Sequence, residues 1–177
     1  MRSCKMDCRV HGTLSPTDFV VEAYRPATHV TESPALGWLA QAIEQVRLEG
    51  RLLGRADVTP RQIGPQAMPN VVMVDVEAVP RRYRLRLIGT ALVRAAGLDN
   101  TGRYFDELAE EQREANGFFV KVMDRLVSCR RPLIYTANMF FRDMEWVRYR
   151  CLAAPLAGED GQVDRIVGAA ELLPWKP

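Results

Sequence analysis

Residues 71–90, VVMVDVEAVPRRYRLRLIGT, read as two strands joined by a tight turn and running directly into helical sequence. Val71, Val72, Val74 and Val76 supply a run of β-branched side chains, which favour a pleated backbone. Val79-Pro80-Arg81 interrupts the run as a turn. Beyond it Tyr83, Leu85 and Leu87 alternate with Arg82, Arg84 and Arg86, the period-two pattern of a strand with one face on a core and one in water.

Working outward, Ala91 to Ala96 predicts a short helix stopped by Gly97, and Asp99-Asn100-Thr101-Gly102 predicts a turn. Asp99 is expected to cap backbone donors there, with Gly102 at positive φ. Tyr104 to Leu108 reads as a further short helical segment. Glu110 to Cys129 is the longest helix, with Phe118, Phe119, Val122, Met123 and Leu126 on one face and Pro132 beyond its end. Three strands follow, at about 133–141, 146–156 and 163–172, with hairpin loops at Asp143-Met144 and Gly158-Glu159-Asp160-Gly161. Upstream, Ser33-Pro34 forms an N-cap and N1 pair. Leu36, Leu39, Ile43, Val46 and Gly50 then recur at spacings of three and four, an amphipathic helix over about 34–50. Residues 1–33 show no periodicity and are expected to be a flexible arm, tied down locally around Phe19 to Tyr24. The domain therefore spans 34–177. Its order of one helix, two strands, small helices, one longer helix and three strands excludes a parallel doubly wound sheet and gives an α+β class.

Composition limits the function. Hydrophobic residues make up 47% and charged residues 26% of 177 residues, a globular balance with enough chain for a core that needs neither metal nor disulfide. A net charge of +2, with acidic residues interspersed, is too weak for a nucleic-acid footprint. No apolar run approaches the roughly 20 residues of a membrane span, and no apolar stretch follows the basic N-terminus, so a cytoplasmic protein without membrane insertion is expected. Cys4, Cys8, Cys129 and Cys151 are then reduced thiols. Cys4, Cys8 and His11 offer three ligands at poor spacing and no second half, so no metal site is expected.

Several stretches, taken in order, resemble a bacterial family of small single-PAS-domain proteins. They are GRADVTP at 54–60, MPNVVMVDVE at 68–77, RYRLRLIGT at 82–90, GLDNTGR at 97–103 and VRYRCLAAPLAGEDGQVDRIVGA at 147–169. Leu53-Gly54 stands where that family usually has Pro or Ser, a change conservative for packing. The resemblance covers about Trp38 to Leu172. It implies a PAS-like five-stranded antiparallel sheet with helices on one face around a small cavity, preceded by the amphipathic N-terminal helix. It also implies a sensory role. Haem-binding relatives use an axial histidine, but His11 and His29 both precede the domain. Light-sensing flavin relatives carry an NCRFLQ-like stretch around a reactive cysteine, and Cys129 sits instead in CRRP. Haem and flavin are therefore disfavoured, and no cofactor is assigned.

With no histidine in the domain to serve as a base, and Asp99 and Asp106 at turn and helix-start positions, no catalytic residue is assigned. The site expectation is a small-molecule pocket lined by Tyr104, Phe105, Leu108, Phe119, Met123, Tyr135, Ala137, Met139, Tyr149, Cys151 and Ala153, with Cys151, Ala153 and Ala154 as a small-residue patch. The stripe of Leu36, Leu39, Ile43 and Val46 by itself suits a helix folded back on its own domain as well as a homodimer interface, and the family resemblance implies the homodimer. The functional reading is a non-enzymatic sensor that binds an unidentified small ligand or a partner protein and signals through contacts in trans, for example to a histidine kinase. The alternatives are a small cavity enzyme of isomerase or dehydratase type, marked by a buried acid against a tyrosine, and a ligand-free interaction scaffold.

Overall fold

The computed structural model describes residues 10–14, 17–108, 113–139 and 144–173. The strands are β1 (Val10–Leu14), β2 (Thr17–Ala23), β3 (Leu53–Gly54), β4 (Val71–Ala78), β5 (Arg81–Ile88), β6 (Leu133–Met139), β7 (Met144–Ala157) and β8 (Val163–Leu173). The helices are α1 (Thr28–Thr31), α2 (Gly37–Leu48), α3 (Pro60–Ile63), α4 (Thr90–Ala96) and α5 (Arg113–Cys129), with a 3₁₀ turn at Phe105–Glu107 before α5. One sheet runs β1-β2-β6-β7-β8-β4-β5, and β3 pairs in parallel with the end of β7. The five expected strands are its β6-β7-β8-β4-β5 portion. The expected arm adds to them, because β1 and β2 form a hairpin and β2 pairs antiparallel with β6. Cys4 and Cys8 lie outside the described residues. No helix among the described residues is long and apolar enough to cross a membrane.

Both faces of the sheet are buried, by different elements. Along β7 the odd residues Tyr149, Cys151 and Ala153 face a core shared with α5 and the Phe105 turn. The even residues Leu152, Ala154 and Leu156 face a second core with α2. Ala154 therefore lies on the opposite side from the expected small-residue patch. The register of β7 with β8 carries the division across, with Ala170 and Ile166 on the first face and Val167 and Ala169 on the second.

The α2 stripe is the main correction to the sequence reading. Leu36 and Leu39 are completely buried, Ile43 and Val46 nearly so, and they pack with Val71, Leu152, Ala154, Leu156, Val167 and Ala169 of their own chain. The four residues expected at a homodimer interface instead cover the second face of the sheet. Each fully buried aliphatic side chain is worth about 1.5–3 kcal/mol, and packing on a tethered sheet avoids the entropy lost when two chains associate. Ser33 anchors the start of this helix. Its hydroxyl accepts the Leu36 N–H at 3.2 Å and donates to Glu171, which Arg150 also holds through Nε at 2.8 Å.

A bulge in the β4–β5 hairpin changes one further expectation. Met73 pairs with Leu87 but Val74 pairs with Leu85, leaving Arg86 as an extra residue on β5. Tyr83 and Leu85 stay on the first face, whereas Leu87 moves to the second beside Met73 and Ile88 takes its place on the first. Outside the α2 core, Asp75 sits between its register partners Arg84 and Arg165. Its carboxylate accepts from Arg165 Nε and Arg84 Nη2 at 3.0 Å each, with Arg86 at 3.5 Å.

The 97–103 turn forms as its residues predict. Gly97 ends α4 at φ 66°, Asp99 accepts the Thr101 N–H at 2.9 Å, and Gly102 sits at φ 88° while donating its N–H to the Leu85 carbonyl. Gly102→Val is expected to lower stability by about 1–3 kcal/mol through backbone strain alone, since no heavy atom lies within 4 Å of an added Cβ. A urea melt indistinguishable from wild type would refute this account of the turn.

Candidate functional site

Small side chains on two neighbouring strands open the site. Cys151 pairs with Ala170 and Ala153 with Gly168, so the centre of the β7–β8 floor carries three small side chains and a glycine and leaves space beneath the helices. Around that floor Val72, Val74, Leu85, Ile88 and Ile166 rise from the sheet, and Phe119, Val122, Met123 and Leu126 descend from α5. Leu92 and Ala96 of α4, the 98–100 segment and the Phe105 turn close the remaining side. The result is a cavity of about 180 Å³. Leu98 and Leu172 line it while remaining exposed, which places its opening between the loop after α4 and the end of β8.

The aromatic walls meet at steep angles, Phe119–Tyr135 and Tyr135–Tyr149 edge to face and Phe105–Phe119 tilted at 51°. Ring centroids are 6.0 Å apart for Phe105 and Phe119, 6.5 Å for Phe119 and Tyr135, and 6.2 Å for Tyr135 and Tyr149, the last pair at 84°. Such geometry suits the ring quadrupoles and holds the walls in fixed orientations. Phe118, on the same helix, packs against both Phe119 and Tyr135 from behind.

Among the expected site residues, Phe105, Leu108, Phe119, Met123, Tyr135, Tyr149, Cys151 and Ala153 all line the cavity, whereas Ala137 is fully buried in the core beside it and does not. The Met139 side chain lies outside what the structure describes. Tyr104 is a correction: its bridge to Arg84 places it on the arginine face of the sheet, away from the cavity. There its hydroxyl donates to Glu77 at 2.5 Å and its ring lies 3.8 Å beneath the Arg82 guanidinium. The neighbouring Phe105 points inward in its stead. Alternation along an extended segment turns successive side chains to opposite faces, so the bridge register alone decides which aromatic enters. Sequence reasoning also missed Gly168 and Ala170. Their signal was the run of small and apolar residues from Ile166 to Ala170, longer than a strand with one wet face requires.

The cavity contains few polar groups. Its titratable side chains among the described residues are Tyr135, Tyr149 and Cys151. Burial pushes the Cys151 thiol up to about 12 and raises both phenols well above their ordinary range, so all three keep their protons at neutral pH. The Cys151 thiol donates to the Leu152 carbonyl at 3.7 Å, with Tyr135 beside it on β6. Asn100 adds one amide, whose buried Oδ1 has no partner among the described residues. Tyr83 does lie against an acid, its hydroxyl donating to Asp124 at 2.5 Å, but neither residue lines the cavity.

This lining does not fit the cofactors of the fold. A flavin mononucleotide needs several amide-type partners for its ring edge and a cation for its phosphate, whereas the described lining residues supply one amide and no Lys or Arg. For haem, no histidine is among the described lining side chains.

Comparison with known proteins gives three results. No curated protein matches the sequence. Among solved structures, a light-oxygen-voltage domain studied with a flavin analogue aligns at 16% identity and a TM-score of 0.41, over 61% of this chain and 79% of that one. An RNA-binding light-oxygen-voltage receptor aligns at 14% identity and a TM-score of 0.46, over 88% of this chain but only 38% of the receptor. Likeness at that level carries no conclusion about flavin or RNA. The family comparison is of a different kind, since the PAS domain matches residues 32–171. That span holds α2, the β4–β8 sheet up to Glu171 and every described cavity residue except Leu172, and on it the chain belongs to the PAS domain family.

Proposed function

We propose that residues 34–177 form a non-enzymatic cytoplasmic sensory module whose cavity binds a small molecule and whose occupancy is read by a signalling protein in trans, of which a histidine kinase is one example. The observation that carries this reading is the cavity itself: an apolar space of about 180 Å³ between sheet and helices, with no carboxylate or base among its described lining residues. A cavity enzyme of the isomerase or dehydratase type needs a proton acceptor facing the ligand. The phenols and thiol present are held protonated by burial and do not serve.

The proposed ligand contacts are Leu108, Phe119, Met123, Tyr135, Tyr149, Cys151 and Ala153, joined by Phe105. A route outward is built into the sheet, which is a single layer. Cys151 and Ala153 face the ligand space while Leu152 and Ala154 between them press on the α2 core, so a change in strand position on one side is felt by the helix on the other.

Native mass spectrometry of the protein purified under non-denaturing conditions tests the reading. A bound small molecule is expected on the 20.0 kDa wild type and absent from Ala153→Phe, whose ring fills the floor of the cavity. The released molecule, returned to fresh protein overnight, is expected to come back unchanged. Its chemical conversion would overturn the non-enzymatic reading.

A further inference from the structure

We propose that the cavity takes an uncharged, ring-sized organic molecule carrying a hydrogen-bond acceptor, with the Tyr149 hydroxyl as the donor that orients it. This rests on the sensory reading above and narrows it to a chemical class. Three observations converge on that class.

The first is charge. No Asp, Glu, Lys, Arg or His is among the described residues lining the cavity, so a carboxylate or phosphate entering it would lose its water with no counter-charge to replace it. The second is shape and size. An apolar cavity of about 150 Å³ accommodates a benzene-sized guest, and this one is of about 180 Å³ with Phe105, Phe119, Tyr135 and Tyr149 in tilted and edge-to-face contact around it. A flat ring completes such an array with further edge and face contacts.

The third observation is an unspent donor. Tyr135 sits opposite Cys151 in the β6–β7 register, and among the described residues no hydrogen bond engages the hydroxyl of Tyr149. Tyr149 is only 8% exposed and lines the cavity. The hydroxyl is not among the fully enclosed polar atoms, so its donor stays open to a ligand carbonyl, ether or ring nitrogen in the cavity. Burial keeps the phenol protonated, so it donates rather than accepts at neutral pH. The unpartnered Asn100 Oδ1 offers an acceptor for a ligand bearing its own N–H or O–H.

Fluorine NMR with three probes, 4-fluoroacetophenone, fluorobenzene and 4-fluorobenzoate, tests the assignment, together with methyl resonances of the protein. Saturable binding of the ketone is expected to move the Met123 and Ala153 methyl signals and leave exposed Leu48 unmoved. Tyr149→Phe is expected to weaken the ketone about five- to tenfold while fluorobenzene changes by less than about twofold. Benzoate binding as tight as the ketone, or a ketone affinity indifferent to Tyr149→Phe, overturns this inference and leaves the ligand-binding reading in place. Silence of Met123 and Ala153 toward all three probes overturns the inference and, with an empty native mass spectrum, the sensory reading as well.

Discussion

Replacing Leu39 and Ile43 together by glutamate is expected to unfold the protein rather than to split a dimer. Leu39 is completely buried and Ile43 nearly so, and both lie against the second face of the sheet. A carboxylate forced into that layer has no partner and no water, a penalty of several kcal/mol per charge. Even Leu39→Ala alone should cost about 2–5 kcal/mol through lost packing and a residual void. Set against a total stability of about 5–15 kcal/mol for an ordinary domain, the double change exceeds what the fold can spare. Circular dichroism with thermal melting decides the matter: a cooperative transition is expected for wild type and none for the double variant. A folded variant of lower sedimentation coefficient would show instead that the stripe holds two chains together.

Asp75→Asn is expected to destabilise by about 2–3 kcal/mol at neutral pH, toward the lower end of the range for breaking a buried pair because Arg84 and Arg86 still reach water. Arg165 is the costly partner, only 13% exposed in its side chain and left facing a neutral amide. Burial pushes the Asp75 carboxyl upward, but hydrogen bonds from Arg165 and Arg84 outweigh it and hold the group below the usual carboxylate range. A carboxyl depressed in the folded state stabilises that state fully above its unfolded value, and the contribution disappears as pH falls through the folded value. Urea melts at pH 7 and at about pH 2 should therefore show a gap between wild type and Asp75→Asn that narrows on acidification. A gap that stays constant with pH would mean that the three arginines are not held by the charge of Asp75.

What was legible in the sequence was local. The β4–β5 hairpin, α4 stopped by Gly97, the positive φ of Gly102 and the long helix ending before Pro132 each depend on residues within a turn or two of one another. Periodicity and turn chemistry report such features directly. The cavity walls from α5, β6 and β7 were legible for the same reason, since one helix stripe and alternate strand positions must share a core.

The rest depended on which surfaces meet. An apolar stripe such as that of α2 specifies burial but not by what, and only the sheet's second apolar face, carried by Leu152, Ala154, Leu156, Val167 and Ala169, assigned it to its own chain. Tyr104 and Phe105 are equally good cavity residues by type; the bridge to Arg84 chose between them. Asp75 became a hub because pairing brought Arg84 and Arg165 from 9 and 90 residues away to either side of it. The sequence by itself determined the elements and the residue types of the core, because those follow from short-range sterics and hydrophobic period. The tertiary structure alone decided the covered face, the inward aromatic and the small-residue floor of the cavity, because strand register and single-residue parity are set by long-range pairing that no local pattern contains.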